Sequence, residues 1–315
     1  MKEQAEILKE RGITVGDEWF LVNVLSSFSF KSILNTCDRM RPLFESDITL
    51  ELLYSLHIDL HDLKQLFLKY ILLVENSLKF KMSYVISDNY GTETDFSNLL
   101  NHDKCDYLSV KYYTGDRQSV IIKLKKNIRA SRNSSLEYYR DQRGNIPAWI
   151  LLENTYFHLA INWYRTLKEP LKSLVCNSMF LRYNSGTDNV QRKEFLNKAL
   201  MILKDYRNSY AHSNRIDMVK DELPHTPTSL LFDASFYNKA DFNNGIGKND
   251  LTALISILCI LAPDEYIAFR LESDLHAFMD KYQDNDVLPE NVSIFDILNL
   301  PHDILDRVSN FTRKL

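Results

Sequence analysis

"LHIDLHDLKQLFLKYILLVENSLKFKMSYVISDNYG", residues 56 to 91, decides how the rest of the chain is read. Leu56, Leu60, Leu63, Phe67, Tyr70, Val74, Leu78, Met82 and Val85 recur every three or four residues, the spacing that lays one apolar stripe along a helix. The spacing predicts a helix over 56–89, ended by Gly91. A stripe that long needs other helices to cover it.

The composition agrees. The chain has 315 residues, 45% hydrophobic and 25% charged, with only 8 glycines and 8 prolines, too little punctuation for a many-turned β protein. The expected fold class is all-α, a helical bundle with additional helices. Upstream, a short helix stops near Gly12 and a second runs through "DEWFLVNVLSSFSFKSIL", capped by Asp17; Pro42 breaks the chain, and Ser46 or Asp47 is available as the next cap. Downstream come "AWILLENTYFHLAINWYRTL", where Trp149, Phe157, Trp163 and Tyr164 read as core, then "PLKSLVCNSMFLRY" and "NVQRKEFLNKALMILKDYRNSYAHSNRI". Residues 221–248 read as an irregular surface excursion or a short β hairpin, followed by helices near 249–262 and 264–282 and short C-terminal helical pieces. The whole chain, 1–315, reads as one helical domain, with 1–45 as N-terminal helices and 221–315 as a divergent C-terminal part.

Four cysteines lie far apart without a Cys-x-x-Cys pair, which fits a reducing compartment and argues against a disulfide scaffold. The charged N-terminus lacks the apolar centre of a signal peptide, and the most apolar run, "LTALISILCILA", is about 12 residues against the roughly 20 that a membrane span needs. A cytoplasmic protein without a membrane partner is expected. The net charge of −4 hides an uneven distribution. Residues 117–143 concentrate Arg117, Lys123, Lys125, Lys126, Arg129, Arg132, Arg140 and Arg143, whereas 264–286 is strongly acidic. The basic segment is either a solvated face or a surface for RNA, with Tyr138 and Tyr139 nearby as stacking rings or core-margin residues.

Chemistry concentrates in "KDYRNSYAHSNRI", residues 204–216. On a helix Lys204, Asn208 and His212 share one face, with Arg207 about 140° round from His212. A group titrating near neutrality and a permanent cation are what metal-free RNA cleavage requires, the first to move the 2′-hydroxyl or leaving-group proton and the second to meet charge on the phosphate. A homodimer would bring the second proton carrier. The plainer alternative is that arginine and histidine near a helix C-terminus answer only its dipole and free carbonyls. Arg270 and His276 offer a similar pair, set among acids that repel phosphate.

Other constellations are weaker. His57 and His61 are four apart, but Ile58 stands where a His-Glu-x-x-His metal site needs glutamate, so no metal is expected. Glu75 and Glu153, on otherwise apolar stretches, read as buried partners for basic side chains. No Gly-rich phosphate loop, nucleophile elbow or kinase signature occurs, so no cofactor is expected.

"YRNSYAHSNRI" resembles the RN-x-x-x-H motif of the HEPN superfamily, and its flanks resemble the Abi (abortive infection) family of bacterial phage-resistance proteins. "LKERGITVGDEWFLVNVL", the long helical stretch, "IPAWILLENTYFHLAINWYRTL" and "YRNSYAHSNRI" follow in the family's order. The likeness is fullest from 5 to 216, and little after 220 matches. It implies a HEPN-like, usually dimeric helical bundle acting as a metal-independent ribonuclease. Arg207 would stabilise transition-state charge and His212 serve as general acid or base, these two facing their two-fold mates across a cleft, and Asn208 would position the reacting groups. It also implies RNA as substrate and as a possible regulator, with Lys123, Lys125, Lys126, Arg129, Arg132, Lys204 and Arg215 as contacts. A non-catalytic RNA-binding or partner-binding scaffold of the same fold is the alternative, and a toxin silenced by a partner blends the two.

Overall fold

Thr49 starts the helix that organises the molecule: its hydroxyl accepts from the Leu52 amide at 3.2 Å, and 41 residues of helix follow. The computed structural model describes residues 2–44, 48–103, 105–180, 188–211, 219–223, 236, 239–283, 287–289 and 291–315. Ser46 and Asp47 lie outside these.

In chain order the helices are α1 (Lys2–Glu10), α2 (Glu18–Ser27), α3 (Phe30–Met40), α4 (Leu50–Tyr90), α5 (Arg117–Ala130), α6 (Ser134–Tyr138), α7 (Ala148–Glu153), α8 (Phe157–Thr166), α9 (Leu171–Met179) and α10 (Asn189–Ala211). They continue as α11 (Lys239–Asn243), α12 (Leu251–Ile260), α13 (Glu265–Asp280), α14 (Ile294–Leu298) and α15 (Ile304–Thr312). The fold is all-α. Among the described residues the one sheet pairs β1 (Ile13–Thr14) with β2 (Ile48–Thr49) in parallel, Ile13 opposite Ile48.

All nine stripe residues of α4 are buried. At about 1.5 Å per residue α4 is roughly 60 Å long. Its faces are covered by α3 at the start and by α7, α9 and α10 along its length, with α12 and α13 also touching it. Gly91 ends it with φ 80°, a left-handed backbone that a side chain would strain. α12 is buried at every one of its ten positions, which is why its sequence is apolar all round: it is a core helix wedged against α10, α13 and α15. Among the described residues no helix is long and apolar enough to cross a membrane.

Several expectations need correction. The helix expected through "DEWFLVNVLSSFSFKSIL" is two helices, because Phe28 and Ser29 are extended and the Ser29 hydroxyl recaps the chain by accepting from the Ser32 amide. Asp17 does cap α2, accepting from the Trp19 amide at 2.8 Å. Trp149 is 41% exposed and lies outside the core that holds Phe157, Trp163 and Tyr164. Glu153 is exposed as well. Within 221–248 no strand occurs among the described residues; α11 lies there, and the excursion is closed at its base by Val219 and Leu223 amides donating to the Asn249 and Lys248 carbonyls.

Candidate functional site

The C-terminal end of α10 is fixed by two tyrosines on its inner face. Tyr206 and Tyr210 are buried; Tyr210 stacks on Phe67 of α4 at 6.4 Å between ring centroids, and the Tyr206 hydroxyl donates to the Asn249 carbonyl at 2.9 Å. Rings at i and i+4 lock the rotation of the helix. Arg207 is therefore left at the margin, with its side chain 37% exposed, and Asn208 faces solvent.

The margin residue meets a buried acid. Glu75 projects from the apolar stripe side of α4 with its carboxylate almost fully enclosed. Oε1 accepts from Lys79 Nζ at 2.6 Å, one helical turn away, and Oε2 lies 3.9 Å from Arg207 Nε. The buried carboxylate thus counters two cations from two helices. Glu75 is the buried partner that its sequence context predicts; Lys79 was missed, although an i, i+4 acid–base pair on an apolar face is its signature.

Lys204, one turn before Asn208, pairs with neighbouring Asp205 at 2.8 Å. Its charge also reaches His158 on α8. Desolvation is the main reason that imidazole titrates below its usual range, with Lys204, Arg165 and Lys123 pushing the same way and Asp205 opposing. His212 and Arg215 lie outside the described residues.

The basic segment divides by what its side chains touch. Lys125 is fully buried: Nζ donates to the Asp106 carboxylate at 2.7 Å and to the carbonyls of Asp95 and Asn98 at 2.6 and 2.8 Å. As a surface contact for RNA it is corrected, since its charge is spent pinning the 93–113 loop to α5. Arg129 donates to the Phe96 carbonyl at 2.7 Å and to that of Ser97, so its guanidinium is occupied although exposed. Arg140 reaches the Ile128 and Ser131 carbonyls and pairs with Asp141. Lys123, Lys126 and Arg132 are exposed.

The rival constellations are structural. Arg270 Nε lies 3.3 Å from Asp274, and His276 pairs with Ser309 at 3.3 Å. His57 is buried between α3 and α4 against Phe28, with Nδ1 2.9 Å from the Thr36 hydroxyl. Burial, with Lys64 and His61 nearby, lowers its pKa to about 4. Among the described residues no group of three or more His, Cys, Asp or Glu side chains is placed to hold a metal ion.

Neither a curated protein nor a solved structure matches the chain. The family model described as Abi-like protein matches residues 23–216. That span carries α4 with Glu75 and Lys79, the basic α5, α8 with His158, and the whole of α10. It covers more than half of the sequence and points to a role in phage defence. The chain belongs to the Abi-like protein family.

Proposed function

We propose that this protein is a metal-independent endoribonuclease of the HEPN type that acts in abortive infection. The observation that carries the reading is the placement of Arg207: half exposed at the end of α10, beside solvent-facing Asn208, with its Nε aimed at a buried carboxylate on the central helix. A cation held from behind and open in front suits a phosphate whose charge grows in the transition state.

In the reaction, His212 takes the proton of a ribose 2′-hydroxyl, whose oxygen attacks the adjacent phosphorus. The bond to the 5′-oxygen breaks, a proton passes to that oxygen, and the products are a 2′,3′-cyclic phosphate and a 5′-hydroxyl. The second proton carrier comes from the partner copy in a homodimer. Arg207 meets the phosphate charge, and Asn208 orients the imidazole or a phosphate oxygen.

The second reading, an RNA-binding scaffold without cleavage, has one observation in its favour: the Arg207–Glu75 contact alone gives the arginine a structural use. Purified protein incubated with RNA in chelator decides between them. Cyclic-phosphate products that vanish in Arg207→Ala and His212→Ala and persist in His276→Ala support the enzyme; binding without products supports the scaffold.

A further inference from the structure

α8 is packed between α5 on one side and α10 on the other. Along the α5–α8 seam, Lys123, Lys126, Tyr156, His158, Leu159 and Asn162 line an open groove. Its lining is mostly apolar and includes two lysines that no oxygen of the described residues claims in the way that Lys125 and Arg129 are claimed. Tyr156, immediately before α8, is 79% exposed, so its ring contributes little to the core. An exposed aromatic face beside two cations is the arrangement that receives an unpaired base and its phosphates.

The helix that lines one side of the groove, α8, also packs against α10. Asn162 Nδ2 and His158 Nε2 are hydrogen-bonded at 3.1 Å, one turn apart on α8. Behind desolvation as the main cause, Lys204 of α10 and Lys123 of α5 both lower the pKa of that imidazole, and Lys204 is paired with Asp205 at 2.8 Å. Lys204 stands one turn from Asn208 on the same helix.

We propose that the α5–α8 groove is a track for single-stranded RNA, with phosphates along Lys126 and Lys123, an unpaired base stacked on Tyr156, and the strand led towards Asn208 and Arg207. Only the destination rests on the ribonuclease reading; the binding does not. A duplex is disfavoured because its bases are already stacked.

The test is equilibrium binding of a short fluorescein-labelled single-stranded RNA, followed by anisotropy across a salt series in chelator. The Arg207→Ala background keeps the probe intact. Lys123→Glu with Lys126→Glu is expected to weaken binding at least about tenfold and to flatten the slope of log Kd against log salt by about 1.4, as two lost phosphate contacts on a single strand require. Tyr156→Ala is expected to weaken binding about fivefold or more with the slope unchanged, and Tyr156→Phe to restore it. These side chains are exposed, so the variants should melt as the parent does. Lys9→Glu with Lys31→Glu makes the same charge change elsewhere. Equal weakening by that pair, groove variants that bind like the parent, or duplex RNA bound as tightly as the single strand would each overturn the proposal. The two readings fail separately. Groove-dependent binding with no cleavage by wild-type protein removes the nuclease and leaves the groove. Cleavage with kcat/KM unchanged in the groove variants does the reverse.

Discussion

Glu75 Oε2 lies 3.9 Å from Arg207 Nε, and among the described residues neither atom has a hydrogen-bond partner, whereas Glu75 Oε1 is hydrogen-bonded to Lys79 at 2.6 Å. The carboxylate therefore grips the lysine and only steers the arginine. A charge contact of that length orients a guanidinium while leaving it room to close on a phosphate.

Removing the acid should separate folding from function. Glu75→Ala leaves Lys79 buried without its counter-charge and is expected to cost about 3–5 kcal/mol in urea denaturation. Glu75→Leu with Lys79→Leu replaces the buried pair by apolar volume and should recover most of that loss. The double variant is nevertheless expected to cleave RNA poorly, because Arg207 has lost what aims it. Cleavage at the parental rate by the refolded double variant would mean that Glu75 serves the fold alone.

Arg207→Lys keeps the charge but gives up the planar fork. Binding of RNA should change little, since one positive charge remains at that position. Cleavage is expected to fall by at least about tenfold, since a point charge on a flexible stem cannot reproduce the paired donors. A lysine variant with parental kcat would show that charge, not geometry, is what this position supplies.

The two lysines at 123 and 125 should behave oppositely in stability measurements. Lys125→Met strands Asp106, whose carboxylate also receives Thr94 and Asn101 side chains at 2.7 Å, and is expected to lose about 3–5 kcal/mol. Lys123→Met changes an exposed side chain and should stay within about 0.5 kcal/mol. Equal effects in thermal or urea melts would contradict the buried lock.

The contrast between those two lysines also marks how far the sequence could be read. Periodicity placed α4 because burial of one stripe leaves a repeat that survives any detail of packing, and Asp17 and Gly91 announce themselves through side-chain capping and left-handed backbone. Periodicity in α5 was equally visible, yet nothing in "IIKLKKN" tells Lys125 from its neighbours: its fate is set by Asp106, 19 residues upstream. Ser29 likewise breaks a helix that apolar spacing alone would continue. At the site, Arg207 and Asn208 were legible as helix-end polar residues, whereas the groove beneath Tyr156 and His158 arises only when α5 and α8 meet.

His57 gives the fold a pH dependence of predictable sign. Its pKa is lowered from 6.5 to about 4 in the folded chain, chiefly by burial. Between these values the unfolded chain holds more protons than the folded one, so stability rises with pH through the window. The stabilisation is complete above about pH 6.5 and drains away as pH falls towards 4, by up to about 3 kcal/mol for the full shift. His57→Gln keeps a hydrogen-bonding group beside Thr36 and removes the titration. Urea denaturation at several pH values should therefore show wild type losing stability faster than the variant below pH 6.5, a difference of about 2 kcal/mol by pH 5. Parallel curves for the two proteins across that range would place the imidazole in an environment that does not disfavour its charge, and the packing of α3 against α4 would have to admit water.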